Sequence, residues 1–263
     1  MHADYSQHTV EKAKNEAKEN LIVLFTDFGL IGPYVGQMKA VIHSITPKTK
    51  IIDLMHDAPK FNPKFSSYLL AAYSQHFELG TIFVAVVDPE VGGDRHPIVV
   101  QADGKWFVGP DNGLFEMVCR HAQTVKAWKI KWRPRSLSVS FHGRDIFAPV
   151  AARIANGDMP ASEALDEDFI REPKWPDDLQ LILYIDHFGN AVTGLRSSFL
   201  NPKSILKFGK YGVSGARVFS DVTQGEYFWY ENANGLVEIA VNKGRASALG
   251  IEIGTPISVS MNY

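Results

Sequence analysis

Short apolar runs alternate along the first part of the chain with segments whose apolar residues recur at helical spacing. Continuous apolar strands separated by amphipathic helices predict an α/β domain with a mainly parallel sheet covered on both faces. Leu21 to Phe25 reads as the first strand and ends in the polar turn Thr26-Asp27-Phe28-Gly29. From Pro33, the residues Val35, Met38, Val41, Ile42 and Ile45 share one helical face. Ile51 to Leu54 predicts a second strand, Pro63 to Phe77 a second helix, and Thr81 to Val87 a third strand running into Asp88-Pro89. After a strand at Trp106 to Val108, Asp111-Asn112-Gly113 opens another helix, and Phe141-His142-Gly143-Arg144-Asp145 leads into one ending near Asn156. Ligands of open α/β sheets bind beyond the carboxyl ends of the strands, so these Asp-bearing turns are where a site is expected.

The pattern changes after residue 160. Met159 to Pro176 is rich in Pro, Asp and Glu and reads as a linker. Beyond it, Leu179 to Ile185, Ser204 to Phe208, Val213 to Phe219, Leu236 to Val241 and Pro256 to Met261 are strand-like and separated by Gly and Asn turns. That alternation fits a small β-barrel or sandwich. The expected organisation is a polar arm over 1–20, a three-layer α/β domain over 21–160, a linker over 161–178 and a β-barrel domain over 179–263.

Charge narrows the partners. With 27 basic and 29 acidic residues the net charge is −2, which gives no bulk attraction to nucleic acid or an anionic membrane, so a small molecule is the expected partner. No run approaches the ~20 apolar residues needed to span a bilayer. The charged stretch Glu11 to Glu19 lacks the apolar core of a secretory signal, which makes cytoplasm the expected location. The one cysteine, Cys119, lies in an apolar run and reads as core. The nine histidines are scattered without ligand pairs, so no metal is expected, and the dinucleotide, P-loop, zincin and serine-hydrolase signatures are missing. No resident cofactor is expected.

What remains is a set of polar clusters: Thr26-Asp27-Phe28-Gly29, Tyr34 with Gly36-Gln37-Met38-Lys39, Val87-Asp88-Pro89-Glu90-Val91-Gly92-Gly93, Gly109-Pro110-Asp111-Asn112-Gly113, Phe141-His142-Gly143-Arg144-Asp145, and Asp186-His187-Phe188-Gly189-Asn190. In this order they resemble the S-adenosylmethionine hydroxide adenosyltransferase family, relatives of the fluorinating and chlorinating enzymes that use the same substrate. The resemblance covers roughly residues 20 to 263. It implies hydrolysis of S-adenosyl-L-methionine to adenosine and L-methionine. It also implies a homotrimer whose active sites lie between the α/β domain of one subunit and the barrel of the next.

By the same resemblance, Asp88, Arg95 and His142 are the catalytic residues. The halogenating relatives carry Tyr in place of Asp88. Asp27 matches the residue that accepts both ribose hydroxyls, Asn190 an adenine contact, and Asn232 a substrate contact from the barrel. Phe61 and Phe141 are candidates for an apolar lining, and Gly143 leaves space where the fluorinating relatives carry Ser to hold halide. One departure is Glu90, where the family usually has Gly; a positive φ there would strain Glu.

The chemistry asks for such groups independently. Methionine leaves as a neutral thioether and needs no general acid, so the burden falls on holding and activating water, for which Arg95 and His142 can donate hydrogen bonds while Asp88 orients them or relays a proton. Plainer roles compete residue by residue: Asp27 and Asp111 as helix caps, Arg144 with Asp145 as a structural ion pair, Arg95 as a solvated surface residue, His142 as a satisfied buried histidine, and Tyr227 to Tyr230 as barrel core or interface. Three functions stand side by side: the hydrolase, a halide-dependent adenosyl transferase that the charge of Asp88 disfavours, and a non-catalytic S-adenosylmethionine or adenosine binder.

Overall fold

The computed structural model describes residues 20–166 and 174–261; the expected arm, all but its last residue, lies outside them. The elements of the first part are β1 (Leu21–Thr26), α1 (Tyr34–Ile45), β2 (Lys50–Met55), α2 (Pro63–Tyr73), β3 (Ile82–Val86), β4 (Pro97–Ala102), β5 (Lys105–Pro110), α3 (Glu116–His121), β6 (Val125–Ile130), a π-helical turn (Gly143–Phe147), α4 (Ala148–Ala155) and β7 (Ser162–Leu165). The seven strands form one sheet in the order β2-β1-β3-β5-β4-β6-β7. The first four of these run parallel, and β4, β6 and β7 pair antiparallel with their neighbours.

Side chains alternate across the sheet as the strand period requires. Ile22 and Leu24 of β1 face α1 and α4, whereas Val23 and Phe25 face α2 and α3. Ile82, Val84 and Val86 of β3 divide from Phe83 and Ala85 in the same way. Both faces are covered, which is why these strands read as unbroken apolar runs.

Several boundaries differ from expectation for local reasons. The segment at Asp111 is a turn and not a helix start: Gly113 has φ 87°, the Asn112 side chain accepts from Leu114 N, and α3 begins only at Glu116. The hairpin β4–β5 turns through Asp103 (φ 44°) and Gly104 (φ 76°), two left-handed residues that match the strand twist. The stretch read as linker from 161 opens with β7, which pairs Ser162 to Leu165 along the edge strand β6. Gly143 starts a π-helical turn, closed by Ala148 N donating to Gly143 O, before α4.

The second part holds β8 (Leu179–Ile185), β9 (Ala191–Arg196), β10 (Ser204–Phe208), β11 (Tyr211–Ser214), β12 (Tyr227–Glu231), β13 (Leu236–Val241) and β14 (Ser258–Met261). They form two antiparallel sheets, β12-β13-β9-β8 and β11-β10-β14. Isolated bridges Leu181–Pro256 and Gly215–Trp229 stitch the sheets at both edges into a small barrel around Ile182, Leu206, Trp229 and Ile239. Leu179, Leu183, Val192 and Leu236 of this part join the apolar cluster under α2, so the two parts share a core. The Tyr68 hydroxyl donates to Pro176 O and Arg120 Nη1 donates to Trp175 O (2.6 Å), fastening the approach to the barrel.

Candidate active site

β1 and β3 are parallel neighbours, so Asp27 and Asp88 leave the sheet at the same edge. The loop after β3 turns back through Val91 N to Asp88 O (3.3 Å) and Gly93 N to Glu90 O (2.9 Å), which returns Arg95 to Asp88. Gly92 makes this reversal possible: its φ is 84°, and a Cβ there would lie 2.5 Å from Val139 O. From the other side Asn112 Nδ2 donates to Val87 O at 2.9 Å and steadies the strand end.

Asp88, Arg95 and His142 form one hydrogen-bonded chain. Arg95 Nε donates to Asp88 Oδ1 (2.9 Å), Nη2 donates to Asp88 Oδ2, and Nη2 also meets His142 Nδ1 at 2.9 Å. The Arg95 and Asp88 side chains are 3% and 4% exposed, and the guanidinium lies over the Phe147 ring. A guanidinium only donates, so Nδ1 is the acceptor and the neutral ring carries its proton on Nε2. Burial, and then the Arg95 charge, hold the His142 pKa below its usual value, which favours that neutral ring. Arg95 Nη1 is buried and has no hydrogen-bond partner among the described residues. An unmade bond of this kind costs about 1–3 kcal/mol and marks a place where a guest oxygen is expected.

Asp27 sits beside this chain. Its Oδ2 accepts from Phe61 N at 3.0 Å, while burial first and the Asp88 charge second raise its pKa. Phe61 itself has φ 56° and a 74% exposed ring, a strained backbone holding an aromatic face in the open. Phe141 packs edge-on against Tyr34 and Phe28, with ring centroids 5.3 and 6.0 Å away. Arg144 pairs with its neighbour Asp145 at 2.6 Å and covers Phe141 at 5.2 Å, and Asp145 accepts from Ser138 N, so this pair shapes the loop.

Asn190 and Asn232 lie elsewhere, in a cavity of about 750 Å³ that Tyr73 and Tyr184 also line. Asp27, Asp88, Arg95 and His142 are not among the residues that line it. Asn190 donates from N and Nδ2 to Asp186 and keeps its Oδ1 and one N–H for a ligand. Asn232 is mostly consumed by its own turn: Oδ1 accepts from Asn234 N and Leu236 N, and Nδ2 donates to Glu238. Asp186, Glu238 and Arg245 line this cavity without having been singled out in the sequence, although Asp186 belongs to the cluster that contains Asn190. Among the described residues no group of three or more His, Cys, Asp or Glu is placed to hold a metal ion, and no helix is long and apolar enough to cross a membrane.

Residues 22–164 match the SAM hydroxide adenosyltransferase N-terminal domain and residues 180–258 the C-terminal domain of the same family. The chain belongs to the SAM hydroxide adenosyltransferase family. It is 34% identical to an (R)-S-adenosyl-L-methionine hydrolase of Thermus thermophilus over 90% of this chain and 98% of that protein. A solved structure of a conserved protein from Thermotoga maritima superposes with a TM-score of 0.77 at 31% identity, covering 90% of this chain and 99% of that one. A fluorinase of Nocardia brasiliensis is a more distant relative, 22% identical over 68% of this chain and 72% of that protein.

Set against the SAM hydroxide adenosyltransferase pattern, two sequence expectations change. Glu90 is not among the residues with positive φ; the left-handed position of that loop is Gly92, so Glu90 carries no backbone strain. Gly143 is buried and does not leave open space: a Cβ there would meet Phe141 Cε2 at 3.2 Å, Met38 Sδ at 3.3 Å and Phe28 Cε2 at 3.4 Å. The aromatic rings have already closed around it.

Proposed function

We propose that this chain hydrolyses S-adenosyl-L-methionine to adenosine and L-methionine by in-line attack of water on the ribose 5′ carbon. The observation that carries the reading is the buried chain Asp88–Arg95–His142 with an unpartnered Arg95 Nη1 at its end. Asp88 spends both carboxylate oxygens on Arg95, so its role is to hold the guanidinium and offset its charge. Arg95 Nη1 is the free donor at the end of this chain, and a water accepting from it gains hydroxide character, while His142 Nε2 presents its own N–H on the far side of the ring. Attack forms the O–C5′ bond as the C5′–S bond breaks. The bonding pair goes to sulfur, methionine leaves as a neutral thioether, and the proton of the water passes to solvent. Positive charge disappears from sulfur on the way, so the rings of Phe61 and Phe141 favour the transition state over the sulfonium ground state.

In this reading Asp27 accepts the ribose hydroxyls, Asn190 meets the adenine edge, and Asn232 acts by shaping the cavity rim. The working form is a cytoplasmic homotrimer without a resident cofactor, in which the Asn190 cavity of one subunit closes on the Asp88 group of the next. That Asp27, Asp88, Arg95 and His142 do not line the Asn190 cavity in a single chain supports that arrangement. The filled space beside Gly143 supports water over halide.

The test is incubation of the purified protein with S-adenosyl-L-methionine in halide-free buffer, following adenosine and methionine by chromatography, with Asp88→Ala alongside. Equal amounts of both products, lost in the variant, are expected. Turnover that starts only when chloride is added, or tight binding without turnover, would overturn the reading.

A further inference from the structure

Behind Asp27 lies a second chain of polar side chains that the hydrolytic reading leaves unused. Asp53 stands on β2 and is 37% exposed on its side chain; His56 follows that strand and is 4% exposed; Thr26 ends β1 and is fully buried. His56 Nε2 lies 3.0 Å from Asp53 Oδ1, and His56 Nδ1 lies 2.8 Å from Thr26 Oγ1. Lys39 of α1 holds the other oxygen of Asp53 at 2.5 Å. Burial works against ionisation of Asp53, but the bonds from Lys39 and His56 outweigh it and keep the carboxyl below its usual range.

A carboxylate only accepts, so His56 Nε2 donates to Asp53, and His56 Nδ1 shares its hydrogen bond with the Thr26 hydroxyl. The Thr26 oxygen also accepts from Phe28 N, at 3.3 Å. The backbone of the same segment continues the clamp, with Gly29 N donating to His56 O at 2.6 Å and Ala58 N donating to Thr26 O at 3.1 Å. Residues 26, 28 and 29 are thus each tied to the 56–58 segment or to Thr26, while residue 27 between them keeps its carboxylate facing Phe61 N. The resemblance to a nucleophilic triad ends there, because Thr26 has no exposed surface from which to attack.

We infer that Asp53, His56 and Thr26 form a positioning relay that fixes the turn carrying Asp27 and so sets how well the protein distinguishes a ribose diol. The inference rests on the reading in which Asp27 accepts the ribose hydroxyls. It also accounts for a histidine and a threonine buried at the sheet edge next to the site and hydrogen-bonded to each other.

The experiment measures dissociation constants of adenosine and 2′,3′-dideoxyadenosine by calorimetry for the wild-type protein, Asp27→Asn, Thr26→Val, Thr26→Ser and Asp53→Asn. Their ratio is the diol preference, which a general loss of packing would not move, since both ligands share the base and the pocket. The expected result is a preference abolished by Asp27→Asn, reduced about tenfold by Thr26→Val and by the half-exposed Asp53→Asn, and restored to within about twofold by Thr26→Ser. In the Asp27→Asn background Thr26→Val should add nothing to the loss. A preference lost in Asp27→Asn yet unchanged in Thr26→Val and Asp53→Asn overturns the relay and leaves the ribose reading standing. A preference that survives Asp27→Asn overturns the ribose reading and the relay with it.

Discussion

Replacing Arg95 by Met removes the counterion of a carboxylate that is 4% exposed. Breaking a buried pair from one side costs about 3–5 kcal/mol, because the remaining charge keeps its desolvation penalty and loses its partner. At about 2–4 °C per kcal/mol for a chain near this size, Tm should fall by about 6–20 °C. Removing both charges together is different: in Asp88→Leu with Arg95→Met no charge is left buried, and the double variant should come within about 1–2 kcal/mol of the wild type. Activity should not follow stability. Arg95→Met and the double variant both lack the donor at Nη1, and loss of one such donor lowers turnover about 10²- to 10³-fold. The assays are thermal unfolding by circular dichroism at fixed protein concentration and adenosine release from S-adenosyl-L-methionine in halide-free buffer. An Arg95→Met protein within about 1 kcal/mol of the wild type would mean the pair is solvated. A double variant that regains turnover would mean Nη1 does not hold the water.

Three further outcomes are expected. Asp27 has a raised pKa, so the folded state binds its proton more readily than the unfolded chain does, and the ionised carboxylate works against folding at neutral pH; Asp27→Asn should therefore raise Tm near neutrality, lose that advantage over the wild type as pH falls and Asp27 protonates, and raise KM, all read from Tm and initial rates across about pH 4 to 7. Phe61→Gly relieves a left-handed φ of 56° and sacrifices little packing from a 74% exposed ring, so the variant should gain about 1 kcal/mol in denaturant unfolding while KM rises. Gly143→Ser must displace Phe141 or Met38 by a few tenths of an ångström, and turnover should fall about tenfold with no new dependence on added chloride, measured as adenosine release with and without the salt.

The parallel half of the sheet was legible because strands covered on both faces show themselves as apolar runs, as Ile22 to Phe25 and Ile82 to Val86 do. The antiparallel half was not. β4 opens on Pro97 and its apolar run is only Ile98 to Val100, and β6 interleaves Lys126 and Lys129 with Ala127 and Trp128, so neither reads as a long buried strand; the Asp103-Gly104 dipeptide was the one local sign of a hairpin between Pro97 and Pro110. At the site, Asp27 and Asp88 could be placed from strand ends alone. Arg95 could not: its return to Asp88 depends on a loop reversal at Gly92 that no periodicity encodes. The relay through His56 was equally hidden, since Asp53, His56 and Thr26 meet only when β1 and β2 are paired. The fate of Gly143 needed two rings and a thioether from separate parts of the chain.

The π-helical turn at Gly143–Phe147 bears on how this protein can vary in length. Its closing bond spans five residues, from Ala148 N to Gly143 O, one more than an α-helix uses. Deleting a single residue there would let the segment run as ordinary α-helix into α4, a local gain in regularity. It would also rotate everything ahead of the deletion by about 100° about the helix axis and shift it by about 1.5 Å, swinging His142 off the Arg95 guanidinium. The segment thus tolerates changes of residue identity better than changes of residue count. An insertion or deletion at this point separates His142 from Arg95, which no substitution inside the turn would do.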